Sequence, residues 1–394
     1  MLAFVIITAI FCFLYLILSR KNEYISFIFL VLALAFMAFN VVPNETDDLA
    51  RYYNTLDSLR SGGWDSFVQM VKNNDSNWRS LPICGLYFYF CSLFPQNEFM
   101  PAITILITYG IMYFVLYKAA QKYNVSKSYL FISALFLLST YWYYDTCSGV
   151  RNGLAFAIII GCAYYQFVEK KNIFLCIIGY LIAFGLHSAS VILISLIILT
   201  VIMGKNSVKF VNLFLIFGLL MGGAVISYIA EISDNEFIML LADKAYRNVD
   251  REFDYHTYYA VNITVYIVTA VIVLYCSYYL KKLKDDKNLD AFLRFVSFLL
   301  FFMLGCIFSQ LIFLRIARWV LPVISSIVFM IGMQLQKDEL PLLEDVDYKR
   351  HISEAQRLRV SNKGVFTAFV CCYTAVHFWY LLYGSSLNMA HFEF

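Results

Sequence analysis

Residues 99–117, FMPAITILITYGIMYFVLY, form an uncharged and mostly apolar run that ends directly before Lys118. A run of about 20 such residues has the length of an α-helix that crosses the hydrocarbon core of a bilayer. The rest of the chain has the same character, since 61% of its 394 residues are hydrophobic and 14% are charged. Soluble proteins have about half and about a quarter, respectively. The sequence therefore predicts an all-α polytopic membrane protein, a single transmembrane domain over residues 1–394.

Similar apolar runs predict about twelve transmembrane helices. They cover residues 2–19, 24–42, 99–117, 129–144, 151–168, 172–186, 188–204, 209–230, 257–280, 291–313, 316–335 and 364–384. The first run is followed by Arg20 and Lys21 rather than by a small-residue cleavage site, so we expect it to remain as a helix. Residues 81–94 are apolar too, but the segment is short and opens with Leu-Pro. We expect it to lie at the interface or to re-enter the membrane.

The lysines between the spans predict the orientation. If residues 81–94 do not cross, every lysine-rich loop falls on one side, which the positive-inside rule assigns to the cytoplasm. The lysines concerned are Lys118, Lys122, Lys127, Lys170, Lys171, Lys205, Lys209, Lys281, Lys282, Lys284 and Lys287. Two large acidic loops, 43–80 and 231–256, then lie outside together with the N-terminus. Residues 337–363 form a cytoplasmic loop that is either solvated or in contact with a partner.

Charge and motifs exclude several classes of function. A net charge of +3 is too small to indicate nucleic-acid binding. The cysteines in the apolar runs lack metal-ligand spacing, so we interpret them as core residues and expect no metal. The span interiors carry no Lys, Asp or Glu, which ion-coupled transporters usually place at mid-membrane. No nucleotide-binding or hydrolase motif is present. What remains is chemistry at the outer membrane face, on a substrate delivered by lipid.

Three arginines, Arg151, Arg315 and Arg318, lie where spans begin or end on the predicted outer side. Arginine is permanently charged, and its planar fork of donors suits a diphosphate. Arg315 and Arg318 are three residues apart and therefore share a helix face. Together they indicate a site for lipid-linked phosphate, and the alternative is that each reaches for ordinary lipid headgroups.

His187 lies at the break that divides residues 172–204, after a glycine-containing apolar run and before Ser188. An ionisable side chain at this depth is costly unless a cavity or a partner receives it, which favours a functional role. A hydrogen-bonded structural histidine is the alternative. His377 and His391 lack this context, and we interpret them as interfacial or tail residues.

Acidic and aromatic side chains gather in the loop after the second span. Carboxylates accept hydrogen bonds from sugar hydroxyls and aromatic rings stack on sugar faces, so we expect glycan recognition here. The predicted substrate-binding residues are Asp47, Arg51, Tyr52, Tyr53, Trp78 and Arg79, with Asn152 beside Arg151. The alternative is a capped helix start within an interfacial aromatic belt. Asp47 and Asp48 alone are a weak metal signal.

Four short blocks resemble the EpsG-like group of Wzy-type polysaccharide polymerases, which includes bacterial O-antigen and exopolysaccharide polymerases. The blocks are Asp48-Leu49-Ala50-Arg51-Tyr52-Tyr53, Val150-Arg151-Asn152-Gly153-Leu154-Ala155, Leu186-His187-Ser188-Ala189-Ser190 and Leu314-Arg315-Ile316-Ala317-Arg318-Trp319. The resemblance lies in the order and spacing of the set, over residues 1 to about 335. Asn152 stands where Gln is more frequent, and Trp319 where Tyr is more usual.

The resemblance implies a glycosyltransferase of the bacterial inner membrane whose active site faces the periplasm or exterior. It would move a growing glycan from undecaprenyl diphosphate onto a newly flipped, lipid-linked repeat unit, without a cofactor. It also implies a fold similar to the metal-independent C-type glycosyltransferases. Its partners would be the two lipid-linked glycans, the bilayer and a chain-length regulator.

Placed on this sequence, the implied mechanism gives each candidate a role. Arg151, Arg315 and Arg318 would hold the donor diphosphate and stabilise the leaving group. His187 would activate the acceptor hydroxyl, or orient the diphosphate if protonated, and Asp48 is the other candidate base.

Three other functions remain open at this point. A flippase for lipid-linked oligosaccharides would also present arginines to a diphosphate, but along a cavity through the membrane. A membrane-bound O-acyltransferase would use an intramembrane histidine with a cytoplasmic acyl donor. A metal-dependent C-type glycosyltransferase would use a monophosphate-lipid sugar, with Asp47 and Asp48 as metal ligands.

Overall fold

The structure, a computed structural model, describes residues 1–18, 21–45, 47–73, 78–217, 256–283, 287–307, 309–338, 353–384, 387 and 390–393. The first half of the chain forms α1 (Leu2–Ile17), α2 (Glu23–Phe39), β1 (Val41–Val42), α3 (Asp48–Lys72), α4 (Pro82–Ser92), α5 (Phe99–Lys122), α6 (Lys127–Thr140), α7 (Tyr143–Ser148), α8 (Val150–Tyr164), α9 (Ile173–Leu186) and α10 (Ser190–Ile202). The second half forms α11 (His256–Leu283), α12 (Lys287–Gly305), α13 (Gln310–Trp319), α14 (Leu321–Asp338), α15 (Ser353–Tyr383) and β2 (His391–Phe392). A π-helical turn, Tyr165–Glu169, follows α8. Residues 208–217 are also helical.

The central helix is α5, the run that opened the sequence analysis. It packs against α2 on one side and α8 on the other, while α8 packs against α9 and α6 packs against α14 and α15. The two short strands pair antiparallel, Val41 with Phe392 and Val42 with His391, so the C-terminal residues lie beside the end of α2. The fold is a helical assembly in which nearly every contact is helix against helix.

Among the described residues, three helical stretches are long and apolar enough to cross a membrane: Phe99–Lys122, Lys287–Gly305 and Val365–Tyr383. A pair bent by 43°, Ile312–Trp319 with Leu321–Gln334, would make a fourth if it forms one span. The other apolar helices have 10–17 residues. Since the hydrocarbon core is about 30 Å thick and a helix rises about 1.5 Å per residue, they are shorter than a straight crossing. The chain is an all-α membrane protein, and the number of twelve spans stays a prediction.

The lysines before and after these helices meet at one end of the assembly. Lys122, in the last turn of α5, donates to the carbonyl oxygen of Val168 in the π-helical turn. Lys127, in the first turn of α6, donates to the carbonyl oxygen of Leu18 after α1. Lys171 follows the same π-helical turn. We call this the lysine end, and its assignment to the cytoplasm stays a prediction.

The segment between the second and third predicted spans, 43–80, is mostly helical. Helix α3 occupies most of it, with a bend at Gly63, whose φ of 58° lies in the left-handed region that favours glycine. Residues 81–94 contain only α4, and its eleven residues rise about 16 Å, half of the hydrocarbon thickness. This length agrees with a segment that does not cross.

Three predicted boundaries differ from the helix bounds in the structure. The span over 129–144 ends at Thr140, where Tyr141 and Trp142 become extended before α7. The span over 291–313 ends at Gly305, and the chain restarts at Gln310. The cytoplasmic loop predicted over 337–363 is partly helical, since α14 runs to Asp338 and α15 starts at Ser353. The loop 231–256 and most of the span 209–230 lie outside the described residues.

Candidate functional site

The opposite end of α8, far from the lysine end, brings together residues that the sequence analysis predicted separately. Arg151 lies in the first turn of α8, and its Nε donates to the hydroxyl of Tyr52 on α3 at 3.1 Å. The guanidinium carbon lies 5.6 Å from the centre of the Tyr52 ring. The thiol of Cys84, on α4, also lies within hydrogen-bonding reach of Arg151. The arginine is therefore positioned by neutral groups, and Cys84 is a member of the site that the sequence analysis missed.

His187 lies between α9 and α10, where its extended backbone (φ −154°, ψ 126°) ends the first helix. The break is stabilised locally: the amide of Ser190 donates to the carbonyl of His187, and the Ser190 hydroxyl donates to the carbonyl of Ala183. The imidazole is 7% exposed and lies edge-on to the Phe156 ring. Neither of its nitrogens has a hydrogen-bond partner among the described residues.

The charges around His187 keep it neutral. Burial lowers its pKa, and the positive charges of Arg315 and Arg151 lower it further, to about 3. Both guanidiniums therefore act on the same imidazole. A neutral imidazole can accept a proton, which suits a base better than a cationic contact to phosphate.

Helix α13 carries Arg315 and Arg318 into this region because Trp319 docks on α7 and α8. The Trp319 Nε1 donates to the hydroxyl of Thr146 at 3.1 Å, and its ring lies 6.2 Å from that of Phe156. A side chain at Gly149 would put a Cβ 3.1 Å from the Trp319 ring, so the close approach depends on glycine. We call this region, which holds Arg151, His187, Arg315 and Arg318, the arginine end.

Arg318 has a different environment from Arg151. Its Nη1 lies 3.7 Å from an oxygen of Asp145, and its guanidinium carbon lies 4.5 Å from the centre of the Trp142 ring. The sequence analysis gave the three arginines the same role, and the structure places this one beside a carboxylate. Asp145 was not predicted as a site residue.

A small cavity of about 40 Å³ adjoins Arg318, and His377 and Ser325 contribute to its lining. His377 is 8% exposed and lies 4.5 Å from the Tyr373 ring, centre to centre. Its interpretation as an interfacial or tail residue is therefore wrong. The signal was available in the sequence, because His377 falls inside an apolar run, where the cost of an ionisable group also singled out His187.

The two adjacent acids at the start of α3, Asp47 and Asp48, have different partners. Asp47 accepts a hydrogen bond from the hydroxyl of Tyr144. It also accepts two hydrogen bonds from Asn44, one from the backbone amide at 3.2 Å and one from the side-chain amide at 3.3 Å. Asp48 pairs with Arg51 on the outside of α3, where these side chains are 46% and 70% exposed. Within the described part of the chain, no three His, Cys, Asp or Glu residues lie close enough together to hold a metal ion.

The EpsG family profile matches residues 45–339, about three quarters of the 394 residues, and the match contains all four sequence blocks. The chain belongs to the EpsG family. The resemblance stated from the sequence is thereby confirmed. No curated protein and no solved structure matches the chain significantly. Family membership indicates a polymerase related to exopolysaccharide synthesis, which is in general terms a glycosyltransferase, located in a membrane.

In this EpsG-family chain, two further predicted residues have buried polar atoms without a hydrogen-bond partner among the described residues. Asn152 follows Arg151 in the first turn of α8, and its amide oxygen is buried without a hydrogen-bond partner among the described residues. Tyr53 is half-buried, and burial together with the charge of Glu98 raises the pKa of its hydroxyl. Both side chains offer polar atoms that a ligand could satisfy.

Trp78 requires a correction. Its side chain is 1% exposed and packs against the rings of Phe67 and Phe88. A Cβ at Gly85 would lie 3.2 Å from the indole, so α4 covers the ring closely. Trp78 therefore holds α3 against α4 and offers no open face for a sugar. Arg79, the next residue, is exposed.

Proposed function

We propose that this protein polymerises lipid-linked repeat units at its arginine end, which we assign to the outer face of the bacterial inner membrane. The growing glycan would move from undecaprenyl diphosphate onto the non-reducing end of a second lipid-linked unit. The observation that supports this proposal is the buried, neutral His187 within the field of two guanidiniums, Arg315 and Arg151. Glycosyl transfer from a diphosphate requires a general base close to cationic groups that bind the diphosphate.

In the proposed reaction, Arg151 and Arg315 bind the donor diphosphate. The acceptor hydroxyl attacks the anomeric carbon, the bond from that carbon to the diphosphate oxygen breaks, and undecaprenyl diphosphate leaves with the bonding electrons. The guanidiniums stabilise the charge that develops on this leaving group, and they are already in place before the reaction starts. The proton of the acceptor hydroxyl moves to an imidazole nitrogen of His187.

Binding of the diphosphate also prepares the base. In the free protein the two guanidiniums lower the pKa of His187 to about 3. A bound dianion offsets their positive charge, so the pKa of His187 rises when the donor is present. The imidazole then becomes a better proton acceptor at the moment when one is needed.

The other predicted residues take supporting roles in this proposal. Arg318 pairs with Asp145, and Arg315 and Arg151 are the two guanidiniums that act on His187, so we assign the first contact with the diphosphate to these two. Tyr52 orients Arg151, and Asn152 and Tyr53 offer polar atoms to the glycan. Asp48 and Arg51 lie at the exposed rim. A chain-length regulator would be a further partner.

The deciding experiment is polymerisation in vitro, with the purified full-length protein and its undecaprenyl-diphosphate repeat unit as the only substrate, in the presence of EDTA. A ladder of glycans on a gel supports the proposal. A ladder that appears only with added divalent metal would instead indicate a metal-dependent transferase. Substrate binding without product under either condition would indicate a flippase.

A further inference from the structure

Two apolar grooves lie side by side on α5. The first, between α2 and α5, has a volume of about 470 Å³ and is lined by Val31, Gly110 and Phe114 among others. The second, between α5, α8 and α9, has a volume of about 550 Å³ and is lined by Phe114, Ile158 and others. Both volumes are in the range of about 300–1,000 Å³ that is typical of ligand sites.

Phe114 separates the two grooves and belongs to both. Its ring is 48% exposed and stacks on the ring of Tyr165, with the centres 6.4 Å apart and the planes inclined by 24°. Leu106 in the first groove is 41% exposed and Leu175 in the second is 64% exposed. The grooves are therefore open on the outer surface of the helices, where a membrane protein meets lipid.

Each groove has one lysine in its lining, Lys118 in the first and Lys171 in the second. Both lie at the lysine end, since the bond from Lys122 to Val168 ties the last turn of α5 to the π-helical turn just before Lys171. The Lys118 ammonium lies 5.7 Å from the centre of the Phe114 ring, which is the side chain that separates the two grooves.

Among the described residues, neither groove has an acidic side chain in its lining. Glu169 belongs to the same π-helical turn, and it accepts a hydrogen bond from the Tyr164 hydroxyl at 3.0 Å. Lys118 is within 3.3 Å of the Gln121 side-chain oxygen, a neutral partner. Two positive charges thus stand at one end of two apolar grooves.

We propose that this surface is a binding site for an anionic diacyl phospholipid. One acyl chain lies in each groove, the two chains straddle Phe114, and Lys118 and Lys171 reach the negatively charged headgroup. Two grooves that share one wall fit a lipid with two chains, whereas a single-chain isoprenoid lipid would fill one groove. The lysines favour a negative headgroup over a zwitterionic one. The site is at the end of α5 opposite to the arginine end and does not depend on the proposed polymerase reaction.

This proposal is tested by native mass spectrometry of the full-length protein. The protein is released from micelles that contain either phosphatidylglycerol or phosphatidylcholine. We expect retained phosphatidylglycerol to exceed phosphatidylcholine, with each lysine contributing about fivefold to the preference. The double variant K118Q/K171Q should bind both lipids equally. K209Q, which changes an exposed lysine outside both grooves, is the matched control and should keep the preference.

A second variant tests the grooves rather than the charges. A Cβ added at Gly110 would meet only one atom, a methyl group of Val31 at 4.0 Å, so G110L can fill the first groove without a clash at that atom. We expect it to weaken retention of both lipids while the preference for phosphatidylglycerol persists. Equal retention of the two lipids by the natural chain, or a K209Q loss as large as that of K118Q/K171Q, would overturn the site. Stronger competition by undecaprenyl phosphate than by phosphatidylglycerol would overturn the diacyl assignment.

Discussion

The two ends of the molecule use positive charge in different ways. At the lysine end, Lys122 and Lys127 donate to backbone carbonyl oxygens that follow other helices. Nearby, Asp290 has Lys205 at 3.5 Å and Arg294 at 3.8 Å. At the arginine end, Arg151 has a tyrosine hydroxyl and ring as its contacts, and it makes no ion pair among the described residues.

This difference distinguishes cations that bind oxygen acceptors at helix ends from Arg151, whose partners are a tyrosine and a thiol. Cations that bind carbonyl oxygens or carboxylates have already lost their water in exchange for fixed partners, so they stabilise the helix ends. Arg151 and Arg315 also act on a buried imidazole, and their positive charges lower the pKa of His187. A strongly perturbed titratable group beside cations is a feature of functional sites.

The largest effect should come from removing a guanidinium at the arginine end. We expect R151Q to lower the rate of polymerisation by about 100- to 1,000-fold, because a fixed donor to leaving-group charge in a dry site is worth about that much. R294Q makes the same chemical change at the lysine end, and we expect its turnover per folded molecule to stay near that of the natural chain. Polymer yield at equal protein level measures both, and equal losses would mean that the contrast between the ends is only structural.

His187 should be the next most sensitive position. We expect H187Q to reduce turnover by about 100-fold or more, since general bases contribute at least that much, and to leave donor binding nearly unchanged. H377Q replaces a second deeply buried histidine, 8% exposed against 7%, and serves as the matched control with turnover near normal. Separate measurements of donor affinity and turnover distinguish the base from a phosphate contact, which would lose affinity first.

The lowered pKa of His187 should also make the stability of the protein depend on pH. The folded protein keeps His187 neutral down to a pKa of about 3, while the unfolded chain takes up a proton near pH 6.5. The unfolded state therefore binds more protons between these values, so stability falls as the pH decreases through this window, by about 3 kcal/mol at pH 4.5.

Thermal unfolding between pH 7.5 and 4.5, followed by tryptophan fluorescence, measures this loss. H187Q should remove part of the pH dependence. R315Q should reduce it too, because one of the charges that lower the pKa of His187 is gone. An identical pH dependence in all three proteins would show that His187 titrates normally.

Local sequence was enough to predict the helices but not their ends. The uncharged run 99–117 lies within α5 because hydrophobicity and length are properties of the segment itself. The end of α6 is set by distant contacts: Tyr143, just beyond it, donates its hydroxyl proton to the carbonyl oxygen of Leu34, 109 residues away. No pattern within 129–144 contains that information.

The candidate site also depends on contacts between distant residues, which the local sequence does not reveal. The positions of Arg151 and His187 at helix ends could be predicted, because a charge or a break stands out there in the sequence. The pairing of Arg318 with Asp145 joins residues that lie far apart in the chain, and it appears only once α13 has docked on α7. Trp78 looks the same in the sequence whether its ring is open to sugar or covered by α4, and the structure shows it covered.

A smaller effect should follow from loosening the contact that positions α13. W319F keeps an aromatic ring against Phe156 and Gly149 but removes the donor to the Thr146 hydroxyl, a hydrogen bond worth about 1 kcal/mol. We expect a modest fall in stability and a several-fold fall in turnover, as Arg315 becomes less firmly placed. W379F, at a ring that is 64% exposed, is the control and should change neither. Full activity of W319F would show that the docking of α13 is not needed to position the arginines.

The smallest effect on stability should come from substitutions at the exposed rim formed by Asp48 and Arg51. The same substitutions decide whether His187 or Asp48 is the base. Asp48 and Arg51 form an exposed pair on α3, and Asp57 and Arg60 form a second pair with the same spacing. Such surface pairs contribute less than about 1 kcal/mol, so D48N and its matched control D57N should unfold at nearly the same temperature as the natural chain.

If His187 is the base, D48N should also retain most of its turnover, because the Asp48 side chain is 46% exposed and already paired. If Asp48 is the base instead, D48N should lose about 100-fold while H187Q loses little, since a general base contributes at least that factor. The comparison of these two variants, each normalised to folded protein, separates a role at the exposed rim from a role at the buried centre. Because D57N removes an equivalent carboxylate from the same helix, a loss shared by D48N and D57N would indicate a requirement for α3 and its charge rather than a catalytic role for Asp48.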